Sequence, residues 1–160
     1  MAALDQASMD THRMPRKLSR HAPHPDQLED GESVLALGVC SPPGAIERQA
    51  TQPIRIAVTN RRFLALKTSR MTGRSKGEIE LAFPLGDVVS VLTVKRHPVA
   101  AMGVPVLSVA MVLSNGEAVV FETSGFRIKA MRRFADVLEL AAQAVPESKY
   151  GTSVDVSDGL

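Results

Sequence analysis

The chain has no tryptophan, one tyrosine and five phenylalanines, so aromatic residues make up only 4% of it. Proteins that hold single-stranded nucleic acid stack bases on aromatic side chains, so this scarcity counts against such a partner. It also leaves the core to Val, Leu, Ile, Ala and Met. Cysteine is nearly absent too: Cys40 is alone. One thiol closes no internal disulfide, which points to a reducing compartment. Long hydrophobic runs are missing. The uncharged stretch from Pro98 to Asn115 is broken by Pro98, Gly103 and Pro105 and stops at Asn115-Gly116. A spanning helix needs about 20 apolar residues, so this stretch reads as a loop followed by a buried strand. The first residues are polar, with no apolar core of a secretory signal. The expected location is the cytoplasm.

Negative charge is also unevenly missing. From Arg48 to Gly77 there is no Asp or Glu, while Arg48, Arg55, Arg61, Arg62, Lys67, Arg70, Arg74 and Lys76 fall within it. Acidic residues gather before it (Asp26, Glu29, Asp30, Glu32) and near the end (Glu147, Asp155, Asp158). A net charge of +2 therefore conceals a locally positive field.

What is present is a β pattern. The 160 residues are 44% hydrophobic, enough for one domain with a packed core. Residues 1–26 read as a disordered arm, 27–145 as the domain and 146–160 as a disordered tail. Strands are expected at Ser33–Cys40, Ile54–Val58, Phe63–Lys67, Ile79–Phe83, Val88–Val94, Val106–Leu113 and Ala118–Glu122. Between the second and third lies Thr59-Asn60-Arg61-Arg62, a tight corner in which Asn60 is suited to a left-handed backbone. Arg61 and Arg62 are expected to be solvated there. Thr68 to Gly77 reads as a polar basic loop hinged at Gly73 and Gly77. Asn115-Gly116 between two apolar runs is a hairpin signal. A helix follows, capped by Ser124-Gly125, with Met131, Phe134, Leu138 and Ala141 on one stripe and Pro146 stopping it.

This order of elements resembles the pleckstrin-homology-like family, in its bacterial and GRAM-like branch. The residues that carry the resemblance are Glu32-Ser-Val-Leu-Ala-Leu37, Val58-Thr-Asn-Arg-Arg-Phe-Leu64, Phe83-Pro-Leu-Gly-Asp-Val-Val-Ser-Val91, the Asn115-Gly116 hairpin, Phe121 and the helix bearing Phe134. It covers residues 28–145. The resemblance implies a mainly β fold with one C-terminal α-helix. Seven strands would form a partly open barrel of two near-orthogonal antiparallel sheets, capped by the helix. It also implies a binding module for phosphoinositides, other anionic groups or protein segments.

The main candidate for a ligand is an anion site built from Arg48, Lys67, Arg70, Arg74 and Lys76, cations and hydroxyls on mobile loops. The family's phosphoinositide signature lies in the first loop, here Ser41 to Gln52, where Arg48 is the only cation. A second candidate is a membrane tip at Lys95, Arg96 and Met102, where cations flank a short apolar loop. No catalytic set has a motif context, and His21-Ala-Pro-His24 lacks the further ligands a metal would need. The reading is therefore a non-catalytic binding or scaffold module, without cofactor, whose partner is a protein segment. The alternative is a peripheral sensor of anionic lipid at the inner face of the membrane, and weak nucleic-acid binding ranks third. Self-association into homo-oligomers stays open, since exposed strand edges can pair.

Overall fold

Runs rich in Val, Ile, Leu and Phe become strands where one face, or both, can be buried. The computed structural model describes residues 22–23, 25–48, 53–69, 75–98 and 101–146. Strands β1 (Val34–Cys40), β2 (Ile54–Thr59), β3 (Arg62–Thr68) and β4 (Ser75–Pro84) form one antiparallel sheet in chain order. Strands β5 (Val88–Arg96), β6 (Val106–Leu113) and β7 (Ala118–Ser124) form a second. Helix α1 (Ile128–Ala144) packs against both, chiefly on β1 and β5. The fold is mainly β with one C-terminal helix. It matches a pleckstrin-homology-like sandwich whose two sheets are not closed into a continuous barrel. Nearly all of the arm and tail expected over 1–26 and 146–160 lies outside the described residues, as do His21 and His24.

The sheets meet at two corners. At one, Ser41 and Glu122 exchange backbone hydrogen bonds of 2.8 Å each, joining the end of β1 to β7. At the other, a single 3₁₀ turn over Leu85–Asp87 leads β4 into β5, and Leu85 N–H donates to the Arg61 carbonyl. The core between the sheets holds four of the five phenylalanines. Phe63 stacks on Phe83 (ring centroids 5.0 Å) and on Phe121 (6.1 Å), and Phe134 meets Phe63 and Phe121 edge-on. Such offset and edge-on pairs add to plain burial because the ring quadrupoles complement one another. Met131, Phe134, Ala135 and Leu138 of α1 are all buried in this core. A smaller cluster lies on the outer face of the four-stranded sheet, where Leu28 covers Ala57, Leu64 and Leu66. Residues Phe63–Leu66 are therefore buried on both faces of β3.

Several local expectations change. Ser75–Gly77 belongs to β4 and not to the loop, because Ser75 pairs with Thr68. The register between Leu66 and Thr68 absorbs the extra β4 residues at a bulge, where Gly77 takes a φ of +75° that other residues resist. Ser124 does not cap α1. Its backbone is extended and paired with Val106, so a 3₁₀ turn over Gly125–Arg127 intervenes, and Arg127 precedes the helix with no side-chain cap. The Asn115-Gly116 hairpin is present. Gly116 has φ +85°, and Asn115 Oδ1 accepts from the Glu117 N–H at 2.9 Å.

Helix and sheet approach closely because β1 has no side chain at Gly38. A Cβ there would lie 3.0 Å from Ile56 Cγ1 and 3.2 Å from Phe134 Cδ2. Gly38→Ala is therefore expected to cost about 1–3 kcal/mol through overpacking. A urea titration checks this, and an unchanged midpoint would show that α1 has room to retreat.

Candidate functional site

The corner between β2 and β3 proves structural. Asn60 is not left-handed: among the described residues Met102 is the only non-glycine with positive φ. Asn60 acts through its side chain instead, accepting from Ser33 N–H at 2.9 Å and donating to the Gly31 carbonyl at 3.1 Å. Thr59 Oγ1 accepts the backbone N–H groups of Arg61 and Arg62 and donates to Glu32 Oε1 at 2.7 Å. Arg62 is not solvated. Its Nε and Nη2 each reach a Glu32 oxygen at 2.9 Å, and Nη2 also donates to the Gln27 carbonyl. The Glu32 side chain is wholly buried. Burial alone would raise its pKa, but Arg62, Thr59 and the Glu29 N–H more than offset this and bring it to about 2. Arg61 is half exposed and paired with Glu29 at 3.2 Å. It lines a broad groove of about 490 Å3 with Ser33, Leu35 and Ala144, and among the described lining residues it is the only cation.

Of the candidate anion residues, the structure describes the side chains of Lys67 and Arg48. Lys67 is paired with Glu78 at 2.9 Å, which raises its pKa. Arg48 is exposed and folds back on its own turn, its Nη2 3.4 Å from the Pro43 carbonyl. Neither Lys67 nor Arg48 lines either of the two clefts beside α1. Arg70 and Arg74 lie outside the described residues, as does the side chain of Lys76. The first loop is fastened by acidic groups. Buried Glu122 accepts from the Gly44 N–H at 3.1 Å and from Arg96 Nη2 at 2.6 Å, and Arg96 Nη1 also pairs with Glu47. Arg96 is thus neutralised by two carboxylates and holds loop to sheet.

Of the tip residues, Met102 stands furthest out. The segment from Pro98 closes by Ala101 N–H to the Pro98 carbonyl and Val104 N–H to the Ala101 carbonyl. Met102 sits within it at φ +54°, 87% exposed, and Val104 is exposed beside it. A long side chain in this backbone region stores about 1–2 kcal/mol of strain, so its display is imposed by the loop. Gly125 N–H donates to the Pro105 carbonyl at 3.3 Å, tying this loop to the turn before α1. That turn carries the fifth phenylalanine, Phe126, 89% exposed, with the Arg127 guanidinium 5.5 Å from its ring centroid. Lys95, His97, Arg127 and Lys129 are exposed on the segments bearing these tips. Phe126 is the residue that sequence reasoning missed. The available signal was its place between the β7 alternation and the α1 stripe, matching neither.

Cys40 is buried, and burial pushes its thiol up to about 12, so it is a core residue. Among the described residues no three His, Cys, Asp or Glu side chains gather as metal ligands, and no helix is long and apolar enough to cross a membrane. No family model matches the chain, and no curated protein is similar to it at a significant level.

Proposed function

We propose that this protein is a pleckstrin-homology-like, non-catalytic binding module that rests the end bearing Met102, Val104 and Phe126 on an anionic membrane surface. One observation supports it above the rest: these three apolar side chains are exposed on two segments tied by a backbone hydrogen bond, with cations on the same segments. Apolar tips gain by entering the headgroup layer, while Lys and Arg gain about 1 kcal/mol each near an anionic surface. Scattered exposed apolar residues need no explanation, but these three sit on two segments that a backbone hydrogen bond ties together. In vesicle flotation the protein is expected to rise with phosphatidylserine-containing vesicles and not with phosphatidylcholine alone. Met102→Ser/Phe126→Ser is expected to lower vesicle affinity by about tenfold or more, from the apolar area removed. Flotation equal to wild type in that variant would overturn the reading.

A second reading has its own observation. On β5, Val89, Leu92 and Val94 are 67%, 54% and 59% exposed, and the strand is an edge: it pairs with β6 alone, and at its start Val88 N–H donates to the Leu85 carbonyl. Such an edge accepts a protein segment as an added strand. Leu92→Lys would then release a cellular protein that wild type retains, with vesicle flotation unaltered.

A further inference from the structure

An edge strand that stays single normally carries protection: a charge along its length, a proline, or a bulge that twists it away. The four sheet margins of this chain differ in that respect. β4 is guarded by Glu78 and Glu80, both exposed, by the bulge at Gly77 and by Pro84 at its end. β1 and β7 are joined to each other at Ser41 and Glu122, and α1 lies against β1. β5 has a bulge between Val88 and Ser90, but from Val88 to Val94 it carries no charge and no proline. Helix α1 also packs on β5, yet Leu92, Thr93, Val94 and Lys95 all stay exposed. The charge of this margin sits at its two ends. Asp87 stands just before the strand, and Lys95 and Arg96 close it. Arg96 is held by Glu47 and Glu122, but among the described residues neither Asp87 nor Lys95 has an ion pair. A strand that is acidic before, apolar through the middle and basic after complements an antiparallel copy of itself, because each end meets the opposite charge. A parallel copy would set like beside like. The sheet behind the strand has the same character. Met111, Val109 and Phe121 face the core, so the alternate positions face away from it. There Leu92 lies in register with Ala110 and Val120, and Ser90 with Val112 and Ala118. These two rows hold no charge, whereas a sheet face turned to water is usually polar.

We infer that β5 pairs antiparallel with β5 of a second copy of this chain, about a two-fold axis at Leu92, and joins the two three-stranded sheets into one of six strands. Leu92 then faces the partner's Leu92, with about 5 Å between Cβ atoms, and the Asp87 end of each copy comes level with the Lys95 end of the other. The inference rests on the edge-strand reading above and names the occupant of that edge as the chain itself. The contact is isologous and closes at two copies. Pairing along one strand buries less than the roughly 1,600 Å2 of a standard interface, so the dimer is expected to dissociate on dilution. Met102 follows β5, so the two tips lie at opposite ends of the joined sheet, and a dimer sets one of them on a given bilayer.

Sedimentation velocity of the full chain reads the dimer, and disulfide trapping locates it. Leu92→Cys is expected to give a covalent dimer under mild oxidation. Ala118→Cys, exposed on the same face but two strands away, is expected to stay monomeric. The buried Cys40 does not compete in either variant. Trapping through position 118 as readily as through position 92 would overturn the inference, since it would mean stacked faces or random collision. Asp87→Lys and Lys95→Asp are each expected to weaken dimerisation by about tenfold, through two like-charge contacts. An equimolar mixture of the two variants is expected to restore it, because each copy again meets the opposite sign at both ends. A mixture that associates no better than its components would overturn the inference. So would a wild-type chain that sediments as a monomer at every concentration, a result that needs no variant to fold. If that monomer still retained a cellular protein that Leu92→Lys releases, the edge-strand reading would stand without the dimer. A dimer trapped through position 92 that retains no cellular protein would keep the inference and remove the other partner.

Discussion

Phe134→Ala is expected to lower the unfolding free energy by about 3–5 kcal/mol, the cost of removing a buried aromatic and leaving a hole behind it. Phe134 is 2% exposed and meets Phe63 and Phe121 edge-on, so its loss empties the place where helix and both sheets join. Domains of this size are stable by about 5–15 kcal/mol in total, so this one change takes a large share. A urea titration followed by far-UV circular dichroism measures it. Phe134→Leu, which refills most of the volume, is expected to recover much of the loss. A midpoint unchanged by the alanine would mean that α1 does not close the core. The arrangement of α1 against both sheets would then fall.

The second large effect belongs to Glu32. Its carboxyl titrates near 2 in the folded chain against 4.5 ordinarily, a displacement worth about 3 kcal/mol at 1.36 kcal/mol per pKa unit. A carboxylate whose folded pKa is depressed stabilises fully above its unfolded pKa, and the contribution drains away as pH falls toward the folded value. The stability difference between wild type and Glu32→Gln is thus expected to be about 3 kcal/mol and level above pH 4.5 or so, then to shrink toward pH 2. Comparing the two chains removes the other carboxylates, which titrate in both. A difference that stays constant from pH 6 to pH 3 would show that Glu32 is not the depressed group. Glu32→Leu/Arg62→Leu is expected to cost less than Glu32→Gln. Breaking a buried pair strands a charge, whereas replacing both partners removes the desolvation cost of each.

Much of the framework could be read from local pattern. The helix announced itself because Met131, Phe134 and Leu138 recur at the helical period, and all three are buried. The β6–β7 hairpin needed only Asn115-Gly116 and the flanking apolar runs. What escaped was long-range. Glu32 and Arg62 are 30 residues apart, and nothing in either neighbourhood marks the pair. Asn60 suits a left-handed backbone by its residue type, but its side chain instead fastens a segment some 29 residues upstream. The site divides in the same way. Met102 stands out from its loop composition, whereas the only mark of Phe126 is that it fits neither the β7 alternation nor the α1 stripe, and its exposure shows only in the folded chain.

The depth at which Cys40 lies has a practical side. The sole thiol of the chain is 2% exposed and strongly resistant to ionisation, so it competes poorly for maleimide or iodoacetamide reagents in the native state. A cysteine placed in the β6–β7 turn, at the end of β6 remote from Pro105, would take a single fluorophore or spin probe without prior removal of the natural residue. The protein thus arrives already suited to site-directed spectroscopy, with the dye held well away from the surface whose contacts it would report.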